Sequence, residues 1–296
     1  MRQYAVGEIV IQRIVESICT GFEARSFFPQ STAEDWALHK NWMEPWALQP
    51  VTGNLILPIQ AFLVRTRHHT ILVDTCVGDH KPRPQRPFWD MKQWNTFLPH
   101  LAAAGVAPEE VDYVMCTHLH WDHVGWNTRL RDGRWVPTFP NAKYIFARQE
   151  WENFEALHRK QPQPHYVDSI LPVMEAGQVQ LVGADFALDD EVWLEPSPGH
   201  TPGHVCVYLA SQGAQAVITG DCIHSPVQCR EPGWIMRADV DPALASATRR
   251  KFLERYCDTG VTVCATHFPE PSLGRIIRRQ DAFWFEYDSI ARKQGF

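Results

Sequence analysis

The stretch THLHWDHVGW, residues 117–126, places three histidines and an aspartate within six consecutive positions. The whole chain has only 14 histidines, so composition alone does not account for this grouping. The stretch follows VDYVMCT, residues 111–117, whose apolar pattern predicts a short buried strand. Because α/β folds place their sites at the carboxyl ends of strands, the sequence predicts a functional site here.

The spacing of these polar residues favours metal binding. His118 and His120 can face one point from an extended or tightly turning segment, while Asp122 and His123 can face a second point close by. Imidazole and carboxylate are suitable ligands for Zn²⁺ and neighbouring first-row metals. The alternative is a solvated polar loop, which is disfavoured because four ligand-type side chains follow directly on a buried strand.

These residues resemble a known family. HLHWDH matches the HxHxDH signature of the metallo-β-lactamase superfamily, and PGHTPGH (198–204), ITGDC (218–222) and ATHF (265–268) match its later motifs in order. The resemblance runs from about residue 55 to the end of the chain. It implies an α/β fold, namely a four-layer αβ/βα sandwich of two mixed β-sheets flanked by helices.

The resemblance also implies a dinuclear metal centre. One ion would be bound by His118, His120 and His200, and the other by Asp122, His123 and His267. Asp221 would bridge the two ions, with a water or hydroxide opposite. The expected cofactors are two divalent ions, with zinc first and manganese, iron or cobalt as alternatives that spacing does not distinguish.

Two further residues are expected to support the ligands rather than bind metal. Asp74, in LVDT, resembles the family's buried aspartate and would accept a hydrogen bond from a ligating imidazole. His204, the second histidine of GHTPGH, is expected to have a structural role.

The superfamily hosts many reactions, so its fold does not define the substrate. True zinc β-lactamases typically carry cysteine in place of Asp221 and lack the His123 ligand, and diiron relatives carry glutamate in place of His120. The ending HFPEPSLGRI, residues 267–276, is similar to the pattern of the quorum-quenching lactonase and methyl parathion hydrolase branch, with its proline shifted. We therefore expect a hydrolase that attacks a lactone or carboxylic ester through a metal-bridging hydroxide.

Other functions stay open at this point. An organophosphate or phosphotriester hydrolase is the first alternative, because the same hydroxide can attack phosphorus. A glyoxalase II-like thioesterase and a non-enzymatic metal-dependent binding module follow.

Three residues are candidates for the chemistry itself. Asp122 and Asp221 would lie beside the nucleophile, and Asp122 would pass a proton to the leaving alkoxide. His224, in GDCIH, stands where lactonases of this branch commonly have tyrosine. It would donate a hydrogen bond to developing negative charge, or act as a proton donor, unless it is a structural histidine.

Aromatic residues are candidates for the substrate pocket. Trp151, in RQEWENF, lies where this branch often places an aromatic pocket residue, although a core position on its helix is the equal alternative. Trp121 and Phe88 are the other two candidates.

Composition limits the partners. The net charge of -6 argues against general nucleic-acid binding, and the basic runs at 249–251 and 278–279 are expected to be solvated. No apolar stretch approaches the 18 residues of a membrane span, and no signal peptide is evident. We expect reduced cysteines and a cytoplasmic protein that acts on a small molecule.

The chain is expected to form a single domain over residues 1–296, with 24–50 as an N-terminal arm or loop with a helical turn. By resemblance to the lactonase branch, such an arm favours a homodimer. The pattern further predicts a strand pair at 6–20, helices at 91–105 and 242–257, a Pro/His loop at 161–172, and a last strand and turn from residue 273.

Overall fold

The computed structural model describes residues 2–288 of the chain. Within this range the strands are β1 (Gln3–Val6), β2 (Ile9–Cys19), β3 (Leu57–Arg65), β4 (Thr70–Val73), β5 (Tyr113–Met115), β6 (Thr128–Arg131), β7 (Arg134–Pro137), β8 (Lys143–Ala147), β9 (Val179–Val182), β10 (Val192–Pro196), β11 (Val205–Ser211), β12 (Ala214–Ile218), β13 (Thr262–Cys264), β14 (Leu273–Arg279) and β15 (Ala282–Tyr287). The α-helices are α1 (Ala24–Phe27), α2 (Ala33–Met43), α3 (Phe97–Ala103), α4 (Arg148–Lys160), α5 (Leu171–Glu175), α6 (Val227–Arg230) and α7 (Pro242–Tyr256).

The strands form two large mixed sheets. The first has the order β1-β2-β3-β4-β5-β8-β9, antiparallel up to β4 and parallel from β4 to β9. The second has the order β10-β11-β12-β13-β14-β15, in which only the β12–β13 pair is parallel. A small β6–β7 hairpin, which the sequence pattern did not predict, stands apart.

Three buried apolar clusters separate four layers. The central cluster joins the inner faces of both sheets, for example Phe62 and Val64 of β3 with Val207 and Leu209 of β11. A second cluster covers the outer face of the first sheet and includes Phe97 of α3, and a third packs α7 against the second sheet. The predicted αβ/βα sandwich is therefore confirmed.

The predicted arm over residues 24–50 is instead packed onto the domain. Helix α2 begins with a capping box in which Thr32 and Asp35 satisfy each other's backbone N–H groups. Phe28, Trp36 and Met43 are buried in the same cluster as the first sheet. A helical turn was expected here, and this was wrong. The segment forms the 11-residue helix α2, because its apolar side chains pack into the core and stabilise more than one turn.

Other local predictions need correction. The helix expected at 91–105 is reduced to α3, since residues 91–96 form turns and loop. The expected loop at 161–172 contains a π-helix, Tyr166–Ile170, which leads directly into α5. Arg249, expected in solvent, is fully buried because its guanidinium donates to the carbonyls of Cys222, Pro232 and Trp234. The ending forms the β14–β15 hairpin, with two strands where one was expected.

All eight cysteines are free thiols, and seven of them are buried. Among residues 2–288, no helix combines the length and apolar character that crossing a bilayer requires.

Candidate metal centre

Loops that follow sheet strands converge at one edge of the sandwich. His118 and His120 follow β5, Asp221 follows β12, and His267 follows β13. His200 lies in the loop between β10 and β11. The backbone N–H of Val205 donates to the carbonyl of Thr117 (2.9 Å), which ties loops of the two sheets together. The site therefore straddles the two sheets.

The first ligand group contains His118, His120, His200 and Asp221. His120 Nδ1 lies 2.9 Å from His118 Nε2 and 2.9 Å from His200 Nε2. One oxygen of Asp221, Oδ2, lies 3.2 Å from His200 Nε2 and 3.7 Å from His118 Nε2. Three imidazole nitrogens and one carboxylate oxygen thus point to a common centre.

The second ligand group contains Asp122, His123 and His267. His123 Nε2 and His267 Nε2 are 3.3 Å apart, and Asp122 Oδ2 is 4.0 Å from each. The other oxygen of Asp221, Oδ1, lies 3.2 Å from His123 Nε2 and 3.0 Å from His267 Nε2. Each oxygen of Asp221 therefore faces a different ligand group, which is the geometry of a bridging carboxylate.

The chemistry of this donor set fits divalent metal ions. The ring nitrogens of His118, His120 and His200 and an oxygen of Asp221 lie close enough together to bind one ion. Burial lowers the pKa of His118 and His120 well below the usual value, so both rings are neutral, the form that binds metal. Burial would raise the pKa of Asp221, but the surrounding histidines, led by His123, hold it well below its usual value. The carboxylate is therefore charged.

Asp74 and His204 contact the ligands rather than the common centres. Asp74 Oδ2 accepts a hydrogen bond from His123 Nδ1 (2.9 Å), and its carboxylate also accepts from the backbone N–H of Thr117 (2.8 Å). This contact turns His123 Nε2 towards Asp221. His204 Nε2 accepts from the backbone N–H of Asp221 (2.8 Å), and burial lowers the pKa of His204 to about 3.

Two carboxylates that hold the ligand loops were missed in the sequence. Asp239 Oδ1 accepts from His200 Nδ1 (2.8 Å). Glu150, on α4, accepts from the backbone N–H of Leu119 (3.0 Å) and from that of Gly203 (2.9 Å). Neither stands in a recognisable motif, and each is distant in sequence from the groups it binds, so no local signal could have identified them.

A cavity of about 470 Å³ opens over the metal centre. Its wall includes His120, Asp122, Asp221, His224 and His267, together with Trp121, Phe154 and His165. Trp121 therefore lies where a pocket residue was expected.

The other two aromatic candidates lie elsewhere. Trp151 packs against the core cluster of the first sheet and does not line this cavity, because Phe154 and Leu157 of the same helix face it instead. Phe88 is 57% exposed and lines an adjoining cavity of about 300 Å³. That cavity shares residues 21, 22, 85 and 86 with the first one.

His224 lies beside the carboxylate of Asp221. Its Nε2 is 3.1 Å from Asp221 Oδ2, and its ring is parallel to that of His267 at a centroid distance of 6.0 Å. Burial lowers the pKa of His224, so the ring is neutral near pH 7. His224 thus belongs to the wall of the metal centre.

Comparison with known proteins agrees with this geometry. The metallo-beta-lactamase superfamily model matches residues 56–267, and the chain belongs to that superfamily. An N-acyl homoserine lactonase of Bacillus thuringiensis is 27% identical over 220 residues, which are 70% of this chain and 80% of the relative. An N-acyl homoserine lactonase of Bacillus cereus is 26% identical over 211 residues, or 67% of this chain and 78% of the relative.

Solved structures share the fold. AidC, a dizinc quorum-quenching lactonase, superimposes with a TM-score of 0.79 at 21% identity, covering 97% of each chain. AbOPH, a hydrolase of the beta lactamase superfamily, gives 0.78 at 24% identity, covering 97% of this chain and 96% of its own.

Proposed function

We propose that this chain is a metal-dependent hydrolase that opens lactone rings, with N-acyl homoserine lactones as its first substrate class. The observation that carries the proposal is the division of Asp221 between two ligand groups, which prepares a site for two divalent ions. Zinc is the proposed metal, since three imidazoles with a carboxylate are a donor set that it prefers. The substrate class is inferred from the relatives of Bacillus thuringiensis and Bacillus cereus, which are N-acyl homoserine lactonases.

Divalent ions bound here would supply a water nucleophile that is deprotonated near neutral pH and would stabilise negative charge on the attacked carbonyl oxygen. Asp221 keeps the two ligand groups in register. Asp122 faces the cavity with a partly exposed carboxylate, so it can hold the proton that this water loses and deliver it to the leaving alkoxide. His224 can donate a hydrogen bond to the charge that develops on the substrate.

The cavity wall fits a partly apolar substrate. Phe22, Phe27, Leu57 and Ile59 line the cavity on the side of the first sheet and the N-terminal segment. The adjoining cavity extends this apolar surface beyond the metal centre, between residues 19–22 and 85–89. A lactone ring at the metal centre would leave an acyl chain to lie along these surfaces.

The test is hydrolysis by protein of measured metal content. The substrates are N-acyl homoserine lactones of several chain lengths, an aromatic lactone, an aryl ester and a paraoxon-type triester. His118→Ala should lose metal and turnover, while the matched control His68→Ala, an exposed residue, should keep both. Lactone turnover that exceeds triester turnover supports the proposal. Turnover confined to the triester would overturn it and identify a phosphotriesterase.

A further inference from the structure

His165 is a buried polar residue that the proposed chemistry does not use. Its side chain lines the cavity over the metal centre, although the residue is only 7% exposed. Its Nε2 has no hydrogen-bond partner within residues 2–288. Because an unsatisfied buried nitrogen costs free energy, an imidazole of this kind in a cavity wall is suited to a hydrogen bond with a bound ligand.

One aromatic ring separates His165 from the metal ligands. The ring of Phe154 lies 5.5 Å from that of His165 and 5.7 Å from that of His120, edge-on to both. His165 is therefore too far away to join the ligand group of His120. It lies instead one side chain beyond His120 on the wall of the same cavity.

The backbone that carries His165 is held rigidly. His165 precedes the π-helix Tyr166–Ile170, a rare conformation that often marks functional sites. Within that helix the carboxylate of Asp168 accepts two hydrogen bonds from Arg83 (2.7 and 3.0 Å). Its carbonyl accepts from Lys81 Nζ (3.0 Å) and from the Thr128 hydroxyl. These buried charges fix the position of the imidazole before a ligand binds.

The protonation state of His165 is also defined. Burial, followed by the charge of Arg83, lowers the pKa of His165 to about 3. At neutral pH the ring therefore has one N–H donor and one nitrogen acceptor. Such a ring can bind an uncharged amide and offers no charge to a carboxylate or phosphate.

We propose that His165 is a specificity-determining residue that hydrogen-bonds the amide group of an N-acyl lactone while the lactone ring lies at the metal centre. The inference rests on the proposed function, because it assigns the amide to the wall one ring beyond His120. It predicts that this chain prefers lactones with an amide next to the ring over alkyl lactones of equal length.

The experiment compares kcat/KM for an N-acyl homoserine lactone with that for an alkyl γ-lactone of similar length. His165→Phe keeps a ring of similar size without a nitrogen. It should lower kcat/KM for the amide substrate about tenfold, mainly through KM, as expected for one lost hydrogen bond. The alkyl lactone should change less than about twofold, because it has no amide to lose. His165→Asn, which restores a donor and an acceptor, should recover most of the preference.

Two results would overturn the inference. An equal fall for both substrates would assign His165 a purely structural role, and an unchanged preference in His165→Phe would show that the amide is bound elsewhere. If the native protein turned over neither lactone, the proposed function itself would fail, and the inference would fail with it.

Discussion

Replacing Glu150 by glutamine should weaken the metal centre without touching a ligand. One oxygen of this buried carboxylate accepts from the N–H of Leu119, between His118 and His120, and the other accepts from Gly203, in the loop of His200. The side chain of Glu150 therefore joins the loop of His118 and His120 to the loop of His200. Glutamine has the same size but one acceptor oxygen, so its amide NH₂ must face one of the two backbone donors.

The expected loss follows from these two contacts. A hydrogen bond to a charged group contributes about 1.5–3 kcal/mol, and the backbone N–H left unsatisfied adds roughly 1 kcal/mol or more. We expect Glu150→Gln to lower the free energy of unfolding by about 3 kcal/mol. At roughly 2 °C per kcal/mol for a chain of this size, the thermal midpoint should fall by about 6 °C. Zinc affinity should fall by about 10–100-fold, as for other residues that orient ligands.

Two assays check these numbers. Metal-free protein is titrated with zinc against a chromophoric chelator, and thermal unfolding is followed with and without metal. The matched control is Glu152→Gln on the same helix, where the exposed side chain should change stability by less than about 0.5 kcal/mol. Native zinc affinity in a destabilised Glu150→Gln protein would refute the argument that this carboxylate positions the ligands.

Three further outcomes are expected. Trp36→Ala should cost about 3–5 kcal/mol in urea unfolding because the indole is buried against Phe28 and Trp234. Leu38 is 77% exposed in the same helix, so Leu38→Ala should be nearly neutral, and equal effects would contradict the packing of α2. Asp168→Asn should cost about 3–5 kcal/mol because it removes the carboxylate that pairs with the buried cations of Lys81 and Arg83. Thermal unfolding should show that loss, with exposed Asp190→Asn as its control. Removing metal with a chelator should lower the thermal midpoint, which should rise again with the logarithm of added zinc; a midpoint that ignores zinc would contradict the ligand assignment.

The candidate ligand residues stand out in the sequence because each is a ligand-type side chain in one of four short motifs, HLHWDH, PGHTPGH, ITGDC and ATHF. The structure brings all seven together, and it places Asp74 and His204 against two of them. Glu150 and Asp239 could not be predicted, since their hydrogen bonds join residues 31 to 53 positions apart in the chain. Such contacts depend on how the layers pack, which no local pattern records.

The N-terminal segment shows a different limit. Helix α2 buries Trp36, His39 and Met43 along one face, but His39 is polar and the apolar Leu38 is exposed on another face, so the helix has no clear apolar stripe in the sequence. Periodicity therefore gave no helix, although the capping box formed by Thr32 and Asp35 was readable in the sequence. The Pro/His segment was misjudged for a related reason, since contacts distant in sequence, such as those of Asp168 with Arg83 and Lys81, stabilise its π-helix.

The ligand set also couples the two sheets to each other. His267 follows a strand of the second sheet, yet its Nδ1 is 2.8 Å from the carbonyl of Pro58 in the first. Gln60, buried in β3, donates to the carbonyl of Thr266 (2.7 Å) beside it. His118 and His200 likewise come from different sheets and meet through Asp221. Since neither sheet alone holds a full candidate ligand group, metal bound there would stabilise the interface between the sheets, and loosening that interface would weaken metal binding by the same free energy.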